Sequence, residues 1–309
     1  MKLRLATRES PLALWQAAAV RDLLAAAWSS LEVELVTVSS SGDRHTDVEL
    51  VRFGRIGIFT VEVDRAVLEG RADAAVHSLK DMTTTLHEGM ALAATTGRGP
   101  VEDVLVARDD VSLGALPAGA RVATGSLRRA AMLRAARPDL EVVGIRGNVQ
   151  TRLDKLDAGE ADALVMARAG LERLGLGARI AQVLDTERFL PAVGQGIVGV
   201  TCRTDDEATL ARLAAIRDLE SWDEAAAERA LLARLRGGCN VPAGGHARAV
   251  EGALALRGRV LSVDGAHTVE GRVIGPRDRA AELGAELADE LLAEGAGELI
   301  EAAREAQAR

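Results

Sequence analysis

Three regions of this 309-residue chain hold side chains whose types and spacing suit chemistry. In "RGGCNVPAGG", Cys239 lies between Gly237 and Gly238 on one side and Pro242, Gly244 and Gly245 on the other. Glycine admits backbone shapes that other residues resist and leaves room for close approach, so the sulfur reads as presented to a ligand. In "AVHSLKDM", His77, Ser78, Lys80 and Asp81 follow an apolar run that reads as a buried strand over 73–76. Ligand sites in parallel α/β sheets lie beyond the carboxyl ends of strands, where this polar group falls. A solvated turn with a local ion pair would use the same residues. In "GSLRR" and "IRGNVQTR", Arg128, Arg129, Arg146 and Arg152 stand at or near helix starts. Cations there oppose the helix dipole unless an anion sits between them, and guanidinium forks match carboxylates two bonds at a time. The chemistry indicated is the binding of several carboxylates, near a thiol and an aspartate.

The elements that must position these groups alternate through the first two thirds of the chain. Strands are expected over 2–7, 32–38, 73–76, 103–108, 121–124, 140–145 and 162–167. Helices are expected from Ser10-Pro11 to about 28, and over 61–69, 126–137 and 149–157. Such alternation implies an α/β architecture with mainly parallel sheets. "LATRESPLALW" and "VATGSLRRAAML" each run from strand through Ala-Thr to a serine that caps a helix. Each helix start offers free N–H groups to a carboxylate or phosphate, and two such sites across a cleft would suit an elongated polyanion. Ordinary capped helices in ordinary α/β units would look the same. From about Leu219 the pattern changes to a small α+β unit: a helix over 224–235, strands over 253–260 and 268–274 joined through Asp264-Gly265, and a helix over 277–294.

Composition excludes several classes. The net charge of −8, with Trp 3, Phe 3 and Tyr 0, argues against a nucleic-acid surface, which needs a basic field and stacking rings. Two cysteines without CxxC spacing give no disulfide framework, so a cytoplasmic location is expected, with Cys202 a small apolar core residue. The apolar run 11–20 follows Arg8 and Glu9 and is interrupted by Gln16, as in a surface helix rather than a signal peptide. No stretch has the ~20 apolar residues of a membrane span. His45, His77, His87, His246 and His267 lack zinc-ligand spacing, so no metal is expected. Gly194, Gly196 and Gly199 spell GxGxxG but run into a β-like segment, which argues for a hinge or a close-packed crossover instead of a dinucleotide site. Lys2, Lys80 and Lys155 are the only lysines among 38 basic residues, so single arginines mean little here and clusters mean more.

The strings "LATRESPLALWQA", "ADAAVHSLKDM", "PAGARVATGSLRR", "RPDLEVVGIRGNVQTRLDKL", "LPAVGQGIVGV" and "AERALLARLRGGCNVPAGG" resemble, in order and spacing, the hydroxymethylbilane synthase (porphobilinogen deaminase) family over essentially the whole chain. The resemblance implies two periplasmic-binding-protein-like α/β domains, 1–97 with 195–216 and 98–194, plus a small C-terminal α+β domain, 217–309. It implies a dipyrromethane cofactor attached to Cys239 through a thioether. Onto this primer the enzyme condenses four porphobilinogen molecules with loss of ammonia, then releases hydroxymethylbilane by hydrolysis, as a step of porphyrin and heme biosynthesis. Asp81 matches the family's catalytic aspartate, placed to stabilise positive charge developing on pyrrole nitrogens. Lys80, Ser78, Thr124, Ser126, Arg128 and Arg129 match positions that hold the cofactor. Arg8, Ser10, Arg146, Arg152 and Arg173 match positions around the substrate, whose pyrroles each carry an acetate and a propionate. The segment 39–57 matches a flexible loop over the active site, and Phe59 an aromatic beside the cofactor. A monomer is expected.

The chain departs from the family pattern at Ile56, where a lysine is usual, at Thr83, where a proline is usual, and at Glu102, where an arginine is usual. Arg168, where small residues are common, reads as an extra carboxylate ligand or a surface residue. Two other functions stay open on the residues alone. One is a non-catalytic solute-binding or effector-sensing module, which would need neither the looped cysteine nor Asp81. The other is a thiol enzyme that uses Cys239 directly.

Overall fold

The computed structural model describes residues 2–38, 60–236 and 241–308. Cys239, Ile56, Phe59 and the expected covering loop lie outside the described residues.

The first sheet begins with β1 (Lys2–Arg8), whose Leu3, Leu5 and Ala6 are fully buried. β1 pairs in parallel with β2 (Glu32–Val38) and β3 (Ala74–Ser78). β4 (Met90–Thr95) completes the first pass of the chain through this unit. The second sheet holds β5 (Asp103–Ala107), β6 (Arg121–Ala123), β7 (Glu141–Val143), β8 (Ala163–Ala167) and β9 (Gln182–Val183), in the order β7-β6-β8-β5-β9. The chain then returns to the first sheet as β10 (Val198–Arg203), giving the order β2-β1-β3-β10-β4.

Both sheets are mainly parallel, as expected, and each contains a strand antiparallel to its neighbours: β10 in the first and β5 in the second. These are the two strands that enter from the other unit. Val198, which opens β10, lies opposite Ser78 at the end of β3. Asp103, which opens β5, lies opposite Ala167 at the end of β8. Both crossovers therefore pass the carboxyl ends of the parallel strands, where a ligand site belongs.

Helix starts follow the expected chemistry. Ser10 accepts the Ala13 N–H and Pro11 opens the helix Pro11–Ala27. Ser126 accepts the Arg129 N–H at the start of Leu127–Ala136, and Asn148 the Thr151 N–H at the start of Val149–Asp157. The helix expected over 61–69 is Val61–Leu68, and Gly70 turns the chain after it at φ +71°.

The third unit is a meander of β11 (Ala243–Val250), β12 (Ala253–Leu261) and β13 (Thr268–Pro276), packed against the helices Leu219–Arg234 and Ala280–Ala293. Leu231, Leu254, Leu256, Leu283 and Leu287 form its core. Two features differ from the sequence reading. A further helix, Ala296–Ala308, follows Gly295, whose φ of +98° separates it from the helix before. Gly244 and Gly245 belong to β11 rather than to an open loop. A Cβ on Gly244 would lie 2.9 Å from the carbonyl oxygens of Leu190 and Pro191, so this glycine serves close backbone packing.

The crossover strands themselves are tightly packed. Gly99 N–H donates to the Gly196 carbonyl at 3.0 Å. Gly196 has φ +90°, and a Cβ there would lie 2.5 Å from the Gly99 oxygen. That is the close-packed crossover expected of the GxGxxG spelling.

Candidate active site

Polar residues gather beyond the carboxyl ends of strands from both sheets. Arg8 closes β1 and Ser10 follows it, Ser78 closes β3, and Lys80 and Asp81 lie in the single turn Leu79–Asp81 after it. Thr124 and Ser126 follow β6, Arg146 follows β7, and Arg168–Arg173 is the helix after β8. A strand–helix junction is needed at each point because the exposed helix start supplies N–H groups.

Asp103 is the centre to which these elements converge. Its side chain is fully buried and receives Arg128 Nη1 on Oδ2 at 2.7 Å. Arg129 Nε and Nη2 donate to Oδ1 at 3.0 and 2.8 Å. Burial alone would raise the Asp103 carboxyl, but the charges and hydrogen bonds of Arg128 and Arg129 overcome it and hold the group well below the usual carboxylate range. Arg128 also donates to the Leu190 carbonyl at 2.6 Å. Arginines at a helix start imply an anion between them, and part of that anion is internal.

Gln195 joins this group to the first unit. Its Nε2 donates to the Val101 carbonyl at 2.7 Å and to Asp103 Oδ1 at 2.8 Å. Its Oε1 accepts from Lys80 Nζ and from Arg129 Nη2, each at 3.3 Å. Burial and then the charge of Arg129 push the Lys80 ammonium down to about 8, against a partial opposing pull from Asp81 and Asp103. Arg152 is lowered in the same way, by burial and then by Arg129, while Asp81 raises it. Asp81 therefore acts electrostatically on Lys80 from its own unit and on Arg152 from the other. Arg129 thus acts on both Lys80 and Arg152 in a partly dehydrated setting, with Arg128 beside it. Asp103 and Asp81 do not balance them, so the site carries surplus positive charge.

Other expected residues have local partners. Ser78 Oγ accepts Gln16 Nε2 at 2.7 Å, and Thr124 Oγ1 accepts the Ser126 N–H at 3.2 Å. Arg152 Nε donates to the Gly147 carbonyl at 2.8 Å. Arg173 donates to the Gly196 carbonyl at 2.6 Å and lies 5.2 Å from the Trp15 ring centroid, at the crossover. Arg146 is exposed and Arg8 half-buried. His77, from the same string as Lys80, turns into the core instead, where its Nε2 meets Asp64 Oδ1 at 2.9 Å and Thr201 also donates to that oxygen. Burial drives the Cys202 thiol up to about 11, as suits the inert core residue expected.

Two departures from the family pattern meet each other. Arg168 Nη1 lies 3.3 Å from Glu102 Oε1, and Arg168 Nε 2.7 Å from Glu172 Oε1. Arg168 is thus a half-exposed partner of Glu102. Thr83, the third departure that can be described, offers its carbonyl to Arg229 Nη2 at 2.9 Å, and Thr84 does the same at 3.0 Å. Arg229 lies in Leu219–Arg234, the helix that leads toward Cys239.

Sequence reasoning missed Gln16, Arg98, Asp103, Gln195, Glu228 and Arg229. Gln195 sits inside the GxGxxG string, whose glycines are its only local signal. Glu224 and Glu228 share a helix face at a spacing of four, a usable signal for one bound cation. That cation is Arg98, 3.1 Å from Glu224 Oε2 and 2.7 Å from Glu228 Oε1.

Among the described residues no group of three His, Cys, Asp or Glu side chains could hold a metal, and no helix is long and apolar enough to cross a membrane. Residues 3–211 match the family model "Porphobilinogen deaminase, dipyromethane cofactor binding domain", and residues 222–293 match "Porphobilinogen deaminase, C-terminal domain". The chain is 45% identical over 300 residues to a porphobilinogen deaminase of Trichlorobacter lovleyi, covering 97% of this chain and 96% of that one. Among solved structures, the VFT2 domain of Bordetella pertussis BvgS overlaps 74% of this chain and 91% of its own, with TM-score 0.44 and 20% identity. An arginine-specific periplasmic binding protein of Salmonella typhimurium overlaps 70% and 91%, with TM-score 0.43 and 12% identity. The family matches do not favour a non-catalytic sensor.

Proposed function

The chain belongs to the porphobilinogen deaminase family, and from that premise we propose how its own residues share the work. The enzyme is a hydroxymethylbilane synthase, a transferase of tetrapyrrole biosynthesis that acts on porphobilinogen and carries a dipyrromethane cofactor. When bound, the dipyrromethane supplies the pyrrole carbon nucleophile on which the tetrapyrrole is built.

The donor set fits a group rich in carboxylates. Lys80, Arg128, Arg129 and Arg152 exceed the acids among them, and the lowered Lys80 reports cations crowded in a partly dry place. In our reading Lys80, Arg128 and Arg129 hold the cofactor's carboxylates, with Ser78, Thr124 and Ser126 as hydrogen-bonding neighbours. Arg8, Ser10, Arg146, Arg152 and Arg173 orient the carboxylates of porphobilinogen. Phe59, which the resemblance matches to an aromatic beside the cofactor, lies outside the described residues. Asp81 is the acid of the reaction. Its carboxylate stabilises positive charge as it develops on the substrate's pyrrole nitrogen and exchanges the proton there. The single observation that carries this reading is geometric: Lys80, in the turn that ends with Asp81, and Arg129, from a helix of the other unit, converge on one oxygen, Gln195 Oε1, each at 3.3 Å.

Cys239 anchors the cofactor through a thioether. Support comes from Arg229, which ties the helix leading to the cysteine to the carbonyls of Thr83 and Thr84, just past Asp81. The working division is 1–97 with 195–216, then 98–194, then 217–309. We place the enzyme in the cytoplasm, as the sparse cysteines suggest, acting as a monomer without nucleic acid; sedimentation at working concentration tests the monomer.

Intact-protein mass tests the anchor. Protein made in a porphobilinogen-competent host should carry an excess equal to two porphobilinogen-derived pyrroles, and Cys239→Ser should lack it. An unmodified mass in the wild type would defeat the assignment, as would alkylation of Cys239 in fresh enzyme, since a thioether cannot react. Asp81→Ala should keep the excess mass while turnover of porphobilinogen falls by about 10²–10⁴-fold.

A further inference from the structure

Gln195 has a fully buried side chain in the returning crossover, and all four of its amide contacts reach other segments. Val101 lies in the outgoing crossover and Asp103 at its end. Lys80 belongs to the first unit, and Arg129 to a helix of the second. The orientation of the amide is determined by these partners. Nε2 faces two acceptors and Oε1 faces two donors, so a flipped amide would set an NH₂ group against two cations and an oxygen against a carboxylate. We propose that Gln195 is a positioning residue for the condensation. Its amide is clamped by the Val101 carbonyl and the Asp103 carboxylate, and it holds Lys80 and Arg129 on one oxygen, fixing where both cations point.

The neutrality of this residue matters. A carboxylate at 195 would consume part of the surplus positive charge that the substrate's acids require, and an apolar side chain would remove one acceptor shared by the Lys80 ammonium and the Arg129 guanidinium. Among the described residues, Arg129, Arg128, Asp81 and Asp103 act on Lys80 by charge, while Gln195 meets it as a neutral acceptor. The inference rests on the reading above in which Lys80 and Arg129 hold carboxylates, and the test separates the two.

Lys80 shares the chain with two other lysines, Lys2 and Lys155, so competitive acetylation followed by peptide mass analysis reads its titration directly with two internal references. The measurement is made on cofactor-loaded enzyme, for wild type, Gln195→Met and Gln195→Glu, with kcat/KM for porphobilinogen recorded over the same pH range. Gln195→Met, which removes the acceptor, should lower the Lys80 midpoint. Gln195→Glu should raise it by about one unit, as for an opposite charge a few ångströms away. The alkaline limb of kcat/KM should move with the midpoint, in opposite directions in the two variants. A Lys80 midpoint unchanged in both, with nothing altered but the melting temperature, would reduce Gln195 to a packing residue and overturn the proposal. Should Gln195→Met fail to fold, the sign of the shift in Gln195→Glu decides alone. A shifted midpoint with an unmoved limb upholds the positioning and instead removes Lys80 from the reaction.

Discussion

Asp103 gathers two guanidiniums and an amide onto one carboxylate in a site closed to water. Replacing it leaves Arg128 and Arg129 buried without their counter-charge, which costs far more than the pair itself contributes. Asp103→Asn should therefore lower unfolding stability by about 3–5 kcal/mol in urea titrations. The pH dependence has a definite sign. The folded carboxyl is held below its unfolded value, so its contribution is complete above the usual carboxylate range and is lost as pH falls through and below about 4. The stability gap between wild type and Asp103→Asn should accordingly be constant above about pH 5 and narrow in acid; a gap that widens in acid would contradict the assignment. Cys202 illustrates the opposite case. Its thiol, driven up by burial, has no chemistry to offer.

The elements that matter most for the site are the two crossovers, because each opens the antiparallel strand of a sheet and passes the carboxyl ends of the parallel ones. Their closeness depends on Gly196, which combines a φ of +90° with a neighbouring carbonyl where a Cβ would go. Gly196→Ala must either push the strands apart or strain the backbone, at a cost of about 1–3 kcal/mol for the strain alone. It should lower the melting temperature and reduce turnover together, since Gln195 is the adjacent residue and Arg173 binds the Gly196 carbonyl. Gly70→Ala, with φ +71° but open space around it, isolates the backbone term and should leave turnover unchanged. At the start of β5, Glu102 and Arg168 face each other as an ion pair. This explains how Glu102 can stand where an arginine is usual without leaving a charge stranded. Arg229 plays a comparable linking part between the third unit and the segment after Asp81. Its guanidinium, lowered by burial, is held by the Thr83 and Thr84 carbonyls.

At the scale of the molecule, three sheet-based units must be held in one arrangement, and buried polar groups do much of this. Glu228 is fully buried and receives Arg98 from the outgoing crossover, the Gly194 N–H from the returning one at 2.6 Å, and the Ala247 N–H from β11 at 2.7 Å. Glu228→Ala takes the acceptor from the Gly194 and Ala247 N–H groups and leaves Arg98 to Glu224 and backbone carbonyls, and should lose about 3–5 kcal/mol, seen as a lower midpoint in calorimetry. The hairpin turn at Gly265 adds a second tie, since a Cβ there would lie 2.5 Å from the Ala131 carbonyl of the second unit, and Arg134 donates to the Val263 carbonyl. The alternation of strands and helices was legible in the sequence, as were the serine caps and the core role of Cys202, because periodicity, capping and burial are local properties of residue types. The polar string that runs into Lys80 and Asp81 was legible too, since it follows an apolar run that had to be a strand. What the tertiary structure alone decided is which groups meet. Arg128 and Arg129 turned out to share an internal acid, His77 turned inward, and Gln195 joined two sheets from within a string of glycines. Contacts between residues about 25 to 130 positions apart leave no trace in local pattern; they exist only once two crossovers bring the carboxyl ends of two sheets together.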